Sequence, residues 1–157
     1  MRKSRLESMR ISLMVKTKHM NTDIYIPGDW VIDKMDLSPG YVQIKRISET
    51  FGKETLILKS GWTVYSSDVE PIPLTPEILK KIGWKLREHH KRELYEDVEW
   101  YTYHNPSVTN ISLRFYPEEK AFFPFLYHEE ISEKPIQYVH QLQHLLFGLG
   151  IDNNMEV

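Results

Sequence analysis

The chain has 157 residues, a formal net charge of −2 and no cysteine, with 41% hydrophobic and 12% aromatic residues. This is the composition of a folded chain, long enough for one ordinary core or for two small units that share one. The missing cysteines exclude a disulfide scaffold, a thiolate zinc site and a cysteine nucleophile, and no apolar run approaches the roughly 18 residues a membrane-spanning helix needs.

The charge is uneven along the chain. Residues 1 to 20 hold Arg2, Lys3, Arg5, Arg10, Lys16 and Lys18 against one acid, Glu7, a net of +5 that leaves −7 on the remainder. Residues 1–22 are read as a basic, disordered tail, because patterned sequence starts only near Asp23. A basic tail on an acidic body offers a contact for nucleic acid or an acidic partner. The tail is not read as a secretion signal. Its longest apolar run, Ile11 to Val15, is broken by Ser12, and no small-residue cleavage site follows.

Residues 23–74 read as short strands and turns. "DWVIDKM" leads into the turn "SPG". "YVQIKRISE" places Val42 and Ile44 on one face and Gln43 and Lys45 on the other. "TFGKE" is a Gly-containing hairpin, and "TLILKS" and "WTVYS" follow it. The prolines of "SSDVEPIP" confine that segment to a terminal edge. Five short strands in this length, with a one-turn helix at "SSDV", predict a small, strongly bent β-barrel. The order is similar to that of Src-homology-3 and Tudor barrels, without a diagnostic ligand motif.

Residues 75–157 read as a helix, antiparallel strands and a second helix, an α+β unit packing against the barrel. Thr75 is an N-cap, Pro76 suits the first helical position, Glu77 favours the positive end, and Gly83 is a stop. Ile78, Leu79 and Ile82 are its buried stripe. Residues 84–94 are read as a strand plus loop, with a helix over 85–96 as the competing reading. A strand is expected over about Glu96 to His104, then a turn at "NPSVTN". In "ISLRFY", Ile111, Leu113 and Phe115 point inward and Ser112, Arg114 and Tyr116 outward. "PEEK" is a turn. "AFFPFLY" is a strand with Pro124 inside it, hence an edge.

Two stretches, "EPIPLTPEILKKIGW" and "YVHQLQHLLFGLG", resemble a family of small proteins from Bacteroides-type bacteria and their phages and prophages. The resemblance covers Gly28 to Leu149. It implies a phage or mobile-element context, attaches no activity and transfers no catalytic residue. The chain departs from the family pattern at His144, where asparagine is expected.

Four features bear on chemistry. His140 and His144 stand four apart on the last helix, the spacing at which two imidazoles share a face. An arc of Tyr138, Leu142, Leu145, Leu146 and Leu149 reads as its buried side, so the histidines, Gln143 and Phe147 fall on a solvated or partner-facing edge. Two histidines supply half a tetrahedral site at most, and there is no "HExxH", so no metal is expected. His89 and His90 are adjacent in a charged surface loop and cannot chelate together on a strand. In "EWYTYHNP", Trp100, Thr102 and His104 share one strand face and Tyr101 and Tyr103 the other. Nearby Glu96, Asp97 and Glu99 repel phosphate, which favours core packing on one face and a protein contact on the other. In "AFFPFLY", Phe123, Phe125 and Tyr127 face one way and Phe122 and Leu126 the other. Either the helices and the barrel cover the two sides, or one side is an exposed patch for a partner.

No phosphate-loop, dinucleotide or nucleophile-elbow motif is present. The reading is therefore a cytoplasmic, non-catalytic interaction protein without a cofactor. It is expected to bind a protein partner, or itself as a homodimer, through exposed aromatics: Trp100, Tyr101, Tyr103, Phe122 and Phe125. The second reading is a nucleic-acid-binding accessory protein using the barrel and the tail. A histidine metalloenzyme ranks third.

Overall fold

The computed structural model describes residues 24–38, 40–91, 98–151 and 155–157. The proposed tail, Pro39, residues 92–97 and residues 152–154 lie outside the described residues. The described chain forms two five-stranded antiparallel sheets and two α-helices.

The first sheet comprises β1 (Trp30–Asp33), β2 (Tyr41–Thr50), β3 (Lys53–Leu58), β4 (Thr63–Tyr65) and β5 (Val69–Pro71), in the order β4-β3-β2-β1-β5. β2 and β3 join through Phe51 and Gly52, both at positive φ (53° and 71°), as a two-residue turn that matches strand twist requires. A bulge between Ile44 and Arg46 bends β2. Val31, Val42, Ile44, Leu56, Leu58, Val64 and Val69 alternate inward and fill a core of their own with Tyr25. The sheet is not the closed barrel expected. β4 and β5 are three residues each and are joined by a one-turn 3-10 helix, Ser66–Asp68. Among the described residues they do not pair, so the sheet does not close through hydrogen bonds between its edges. β5 is the edge strand its prolines demand.

Helix α1 (Pro76–Lys81) begins as the sequence predicts. Thr75 accepts a hydrogen bond from the Ile78 amide at 3.3 Å, and Pro76 opens the first turn. It ends at Gly83, φ 96°. There the Gly83 amide donates to Lys80 O and the Trp84 amide to Leu79 O, the paired bonds of a Schellman stop. That stop throws Trp84 into the core beside Leu79.

The second sheet comprises β6 (Lys85–His90), β7 (Trp100–Asn105), β8 (Val108–Tyr116), β9 (Ala121–Leu126) and β10 (Glu129–Glu130), ordered β10-β9-β8-β7-β6. Four expectations need correction. The strand expected within residues 84–94 is Lys85–His90 and the competing helical reading fails, but "EHH" belongs to that strand rather than to a loop, held by pairing with the aromatics of β7. β7 starts at Trp100; Glu96 and Asp97 lie outside the described residues. The "NPSVTN" turn shrinks to Pro106 and Ser107, because Val108 already pairs with Asn105. β9 is not an edge, since β10 and a bridge from Ile136 to Phe122 flank its far side. The Phe122 amide points to that side, donating to Ile136 O. Pro124, two residues on, turns its missing N–H the same way, into the gap between the bridge and β10.

Helix α2 (Val139–Gly148) closes the molecule with a second Schellman stop, in which Gly150 donates to Phe147 O and Ile151 to Leu146 O. The main core lies where the two sheets and both helices meet. Ile72, Leu74, Leu79, Trp84, Tyr103, Leu113, Phe122, Val139, Leu142 and Leu146 pack together, with Trp30 and Ile32 of β1 against them. The backbone adds bonds across the joint: Leu74 N–H to Gln137 O and Val139 N–H to Ile72 O.

Candidate functional site

The sheet's inner face takes the main core, and its outer face carries the site. Register sets that face. Thr102 pairs with Arg114, His104 with Ser112, and Ser112 with Phe125, so these side chains stand in adjacent rows. Glu88 of β6 pairs with Thr102 and extends the row to the sheet edge. Together with Arg87 and with His128 beyond β9 they line a cavity of about 430 Å³, within the range of ligand pockets.

Arg114 is its centre. The guanidinium carbon lies 4.2 Å from the centroid of the Phe125 ring and 5.0 Å from that of Trp100. At these distances both rings attract the cation. Among the described residues its buried Nε has no hydrogen-bond partner. Thr102 Oγ1 and His104 Nδ1 are buried beside it in the same condition, and Thr102 is only 8% exposed. Three such atoms in adjacent rows carry a real desolvation cost, and native structures keep few of them. At the rim Asn110 and Tyr127 both hold positive φ (75° and 58°), a strained state for tyrosine. They hold each other there: Tyr127 N–H donates to Asn110 O at 2.8 Å, and Asn110 Nδ2 donates to Tyr127 Oη at 3.1 Å.

The five aromatics expected to be exposed are placed differently. Phe122 is 0% and Tyr103 3% exposed, both in the main core with ring centroids 6.2 Å apart. Phe125, 7% exposed, packs with Tyr116, Ala121 and Phe123 in a small outer cluster against which Trp100 rests. Tyr116 is therefore buried rather than outward-facing in solvent. Tyr101 is half-buried; its hydroxyl donates to Glu99 at 2.9 Å, and that bond raises the phenol's pKa. The aromatics were misplaced because β9 is apolar on both faces. The helices and β1 cover one face. On the other, Trp100 and Arg114 of β7 and β8 take the place expected of the barrel. Only Trp100 and Phe125 belong to the pocket region, as walls for Arg114. Sequence reading passed over Arg87, Thr102, His104 and Arg114 as the site. The signal was present in the shared strand face of Trp100, Thr102 and His104, but which strand lay opposite was not.

The paired histidines need a second correction. His140 is 1% exposed, and Gln143 is buried with it, so this side of α2 is no solvated edge. The buried face runs through Val139, His140, Leu142, Gln143 and Leu146, rotated from the expected arc. It meets β1 and the turn before it. Gln143 accepts from Trp30 N–H at 3.1 Å and donates to Gly28 O at 3.0 Å. His144 Nε2 lies 2.9 Å from a carboxylate oxygen of the buried Asp29, whose other partner is the Ile26 amide at 2.8 Å. Burial raises the Asp29 pKa; the Ile26 amide, His144 and His140 each oppose that shift. Among the described residues no group of three or more His, Cys, Asp or Glu side chains is placed to hold a metal ion. His89 stacks on Tyr101 and His90 on Trp100, on opposite faces of β6. No helix among the described residues is long and apolar enough to cross a membrane.

Compared with protein-family models, with curated proteins and with solved structures, the chain matches none.

Proposed function

We propose that this chain is a non-catalytic interaction module that engages a protein partner, or a second copy of itself, through the outer face of its second sheet. The observation that carries the reading is the pocket over Thr102, His104 and Arg114, where three buried polar atoms lack a protein partner. Functional sites are where a fold tolerates such atoms. The surface differs from the aromatic one expected from sequence, and Trp100 and Phe125 serve it from beneath.

The setting we propose is cytoplasmic and linked to a mobile element, on the strength of the sequence resemblance. We also read the first sheet as related to Src-homology-3 and Tudor modules. Its support is the strand order and the 3-10 turn between β4 and β5. The nucleic-acid alternative uses the first sheet and the basic tail, and the tail lies outside the described residues.

The test is native mass spectrometry of the protein purified from its host lineage, wild type against Ser112→Phe. Ser112 lines the pocket and is partly exposed, so phenylalanine fills the cavity from its floor. A stoichiometric partner or homodimer that Ser112→Phe releases supports the reading. A complex indifferent to this substitution sinks it.

A further inference from the structure

Building on this pocket as the docking site, we infer that its occupant is an acidic peptide segment, one carboxylate of which is received by Arg114. The geometry of Arg114 carries the inference. Its Nε is sealed beneath the floor, while its two terminal nitrogens make no hydrogen bond and stay open to the pocket. The rings of Phe125 and Trp100 hold the guanidinium carbon at 4.2 and 5.0 Å, and among the described residues no group hydrogen-bonds the end of the fork. A planar fork presented end-on takes a planar carboxylate through two parallel hydrogen bonds. Among the described residues no carboxylate lies within ion-pair distance of it.

The charge of the lining selects among anions. Arg87 and Arg114 face one acid, Glu88, and with His104 and His128 counted neutral the lining carries a net of one positive charge. One unit of charge balances a carboxylate. A phosphate monoester near two negative charges leaves an excess beside Glu88, and a nucleic-acid strand, with one charge on every phosphate, brings further charges for which the lining holds no cation. Phe125 and Tyr127 also line the site, which suits the apolar stem of a glutamate or aspartate and its neighbours.

The probe is a library of N-acetylated, C-amidated decapeptides with a fixed central glutamate, matched to one with central glutamine. Binding is read by NMR on the labelled chain at Arg114 Nε–H and the Thr102 amide. The expected result is saturable binding by glutamate peptides, about 10- to 100-fold weaker for their glutamine counterparts and for Arg114→Gln. Arg114→Lys, which keeps the charge and loses the fork, should fall between. The peptide comparison needs no variant, so it stands even if Arg114→Gln unfolds. Glutamine peptides binding equally well would overturn the carboxylate and leave the docking site. Inorganic phosphate binding as tightly as the best glutamate peptide would overturn the peptide source. No binding by any glutamate peptide also overturns the inference. The docking reading then stands or falls separately, on whether Ser112→Phe releases the purified complex.

Discussion

Replacing Gln143 by methionine tests how the two sheets are joined. Gln143 is buried on α2, and its amide does for β1 what a neighbouring strand would do. Its oxygen receives the Trp30 N–H at 3.1 Å and its nitrogen serves Gly28 O at 3.0 Å. Methionine keeps the length and the apolar stem and removes both bonds. The two losses are unequal. Gly28 O keeps a second donor, Gln43 Nε2 at 2.6 Å, so its loss is small. The Trp30 amide is left in a largely dry joint, and a buried donor without an acceptor costs about 1–3 kcal/mol. With a urea slope of about 1–3 kcal/mol/M for a chain of this size, the unfolding midpoint should fall by about 1 M at an unchanged slope. Urea unfolding followed by tryptophan fluorescence measures this, with amide exchange at Trp30 as the local readout. A loss under about 0.5 kcal/mol, the scale of a neutral surface change, would refute the idea that this amide bridges the halves.

Two further outcomes follow from the same physics. Because burial raises the Asp29 pKa, the native state holds that proton more tightly than the unfolded chain. The resulting stability is complete below the unfolded value and fades as pH rises through the native one. The stability of wild type minus that of Asp29→Asn should therefore increase on acidification through this window, no more steeply than about 1.4 kcal/mol per pH unit. Chemical denaturation at a series of pH values reads it, and a difference that grows with rising pH would contradict the sign. Gly83→Ala should cost about 1–2 kcal/mol, since φ of 96° is the left-handed side that Cβ disfavours. The added Cβ meets only Asn105 at an ordinary 3.9 Å, so backbone strain is the whole cost and thermal unfolding should show it.

What sequence made legible was local. α1 is written in Thr75, Pro76, Glu77 and Gly83, each acting within one turn of itself, and its observed ends agree. The Phe51–Gly52 hairpin and the proline-bounded β5 are local in the same sense. Barrel closure was not, because it depends on whether two three-residue strands at opposite ends of a sheet meet. Propensity alone could not settle Lys85–His90, which became a strand because β7 offers its aromatics as partners.

Helix α2 shows why the rest stayed hidden. Periodicity assigns a helix's buried face by finding where apolar residues concentrate, which assumes that its neighbours are apolar. Here one neighbour is the polar start of β1, with the carbonyl of Gly28, the amide of Trp30 and the carboxylate of Asp29 all in need of partners. Leaving those groups dry and unpaired would cost more than burying an amide and an imidazole beside them. The helix therefore turns Gln143 to Trp30 and Gly28 and His144 to Asp29, buries His140, and leaves Phe147 and Leu149 exposed. The pocket follows the same rule from the other side. A partner separated by more than a hundred residues satisfies the polar groups at the start of β1, whereas among the described residues no group satisfies Thr102 Oγ1, His104 Nδ1 or Arg114 Nε. That contrast, between the Gly28 carbonyl, Trp30 amide and Asp29 carboxylate, which the fold supplies with partners, and three buried atoms on one face of the second sheet, which it does not, is the physical ground for placing the binding site on the second sheet.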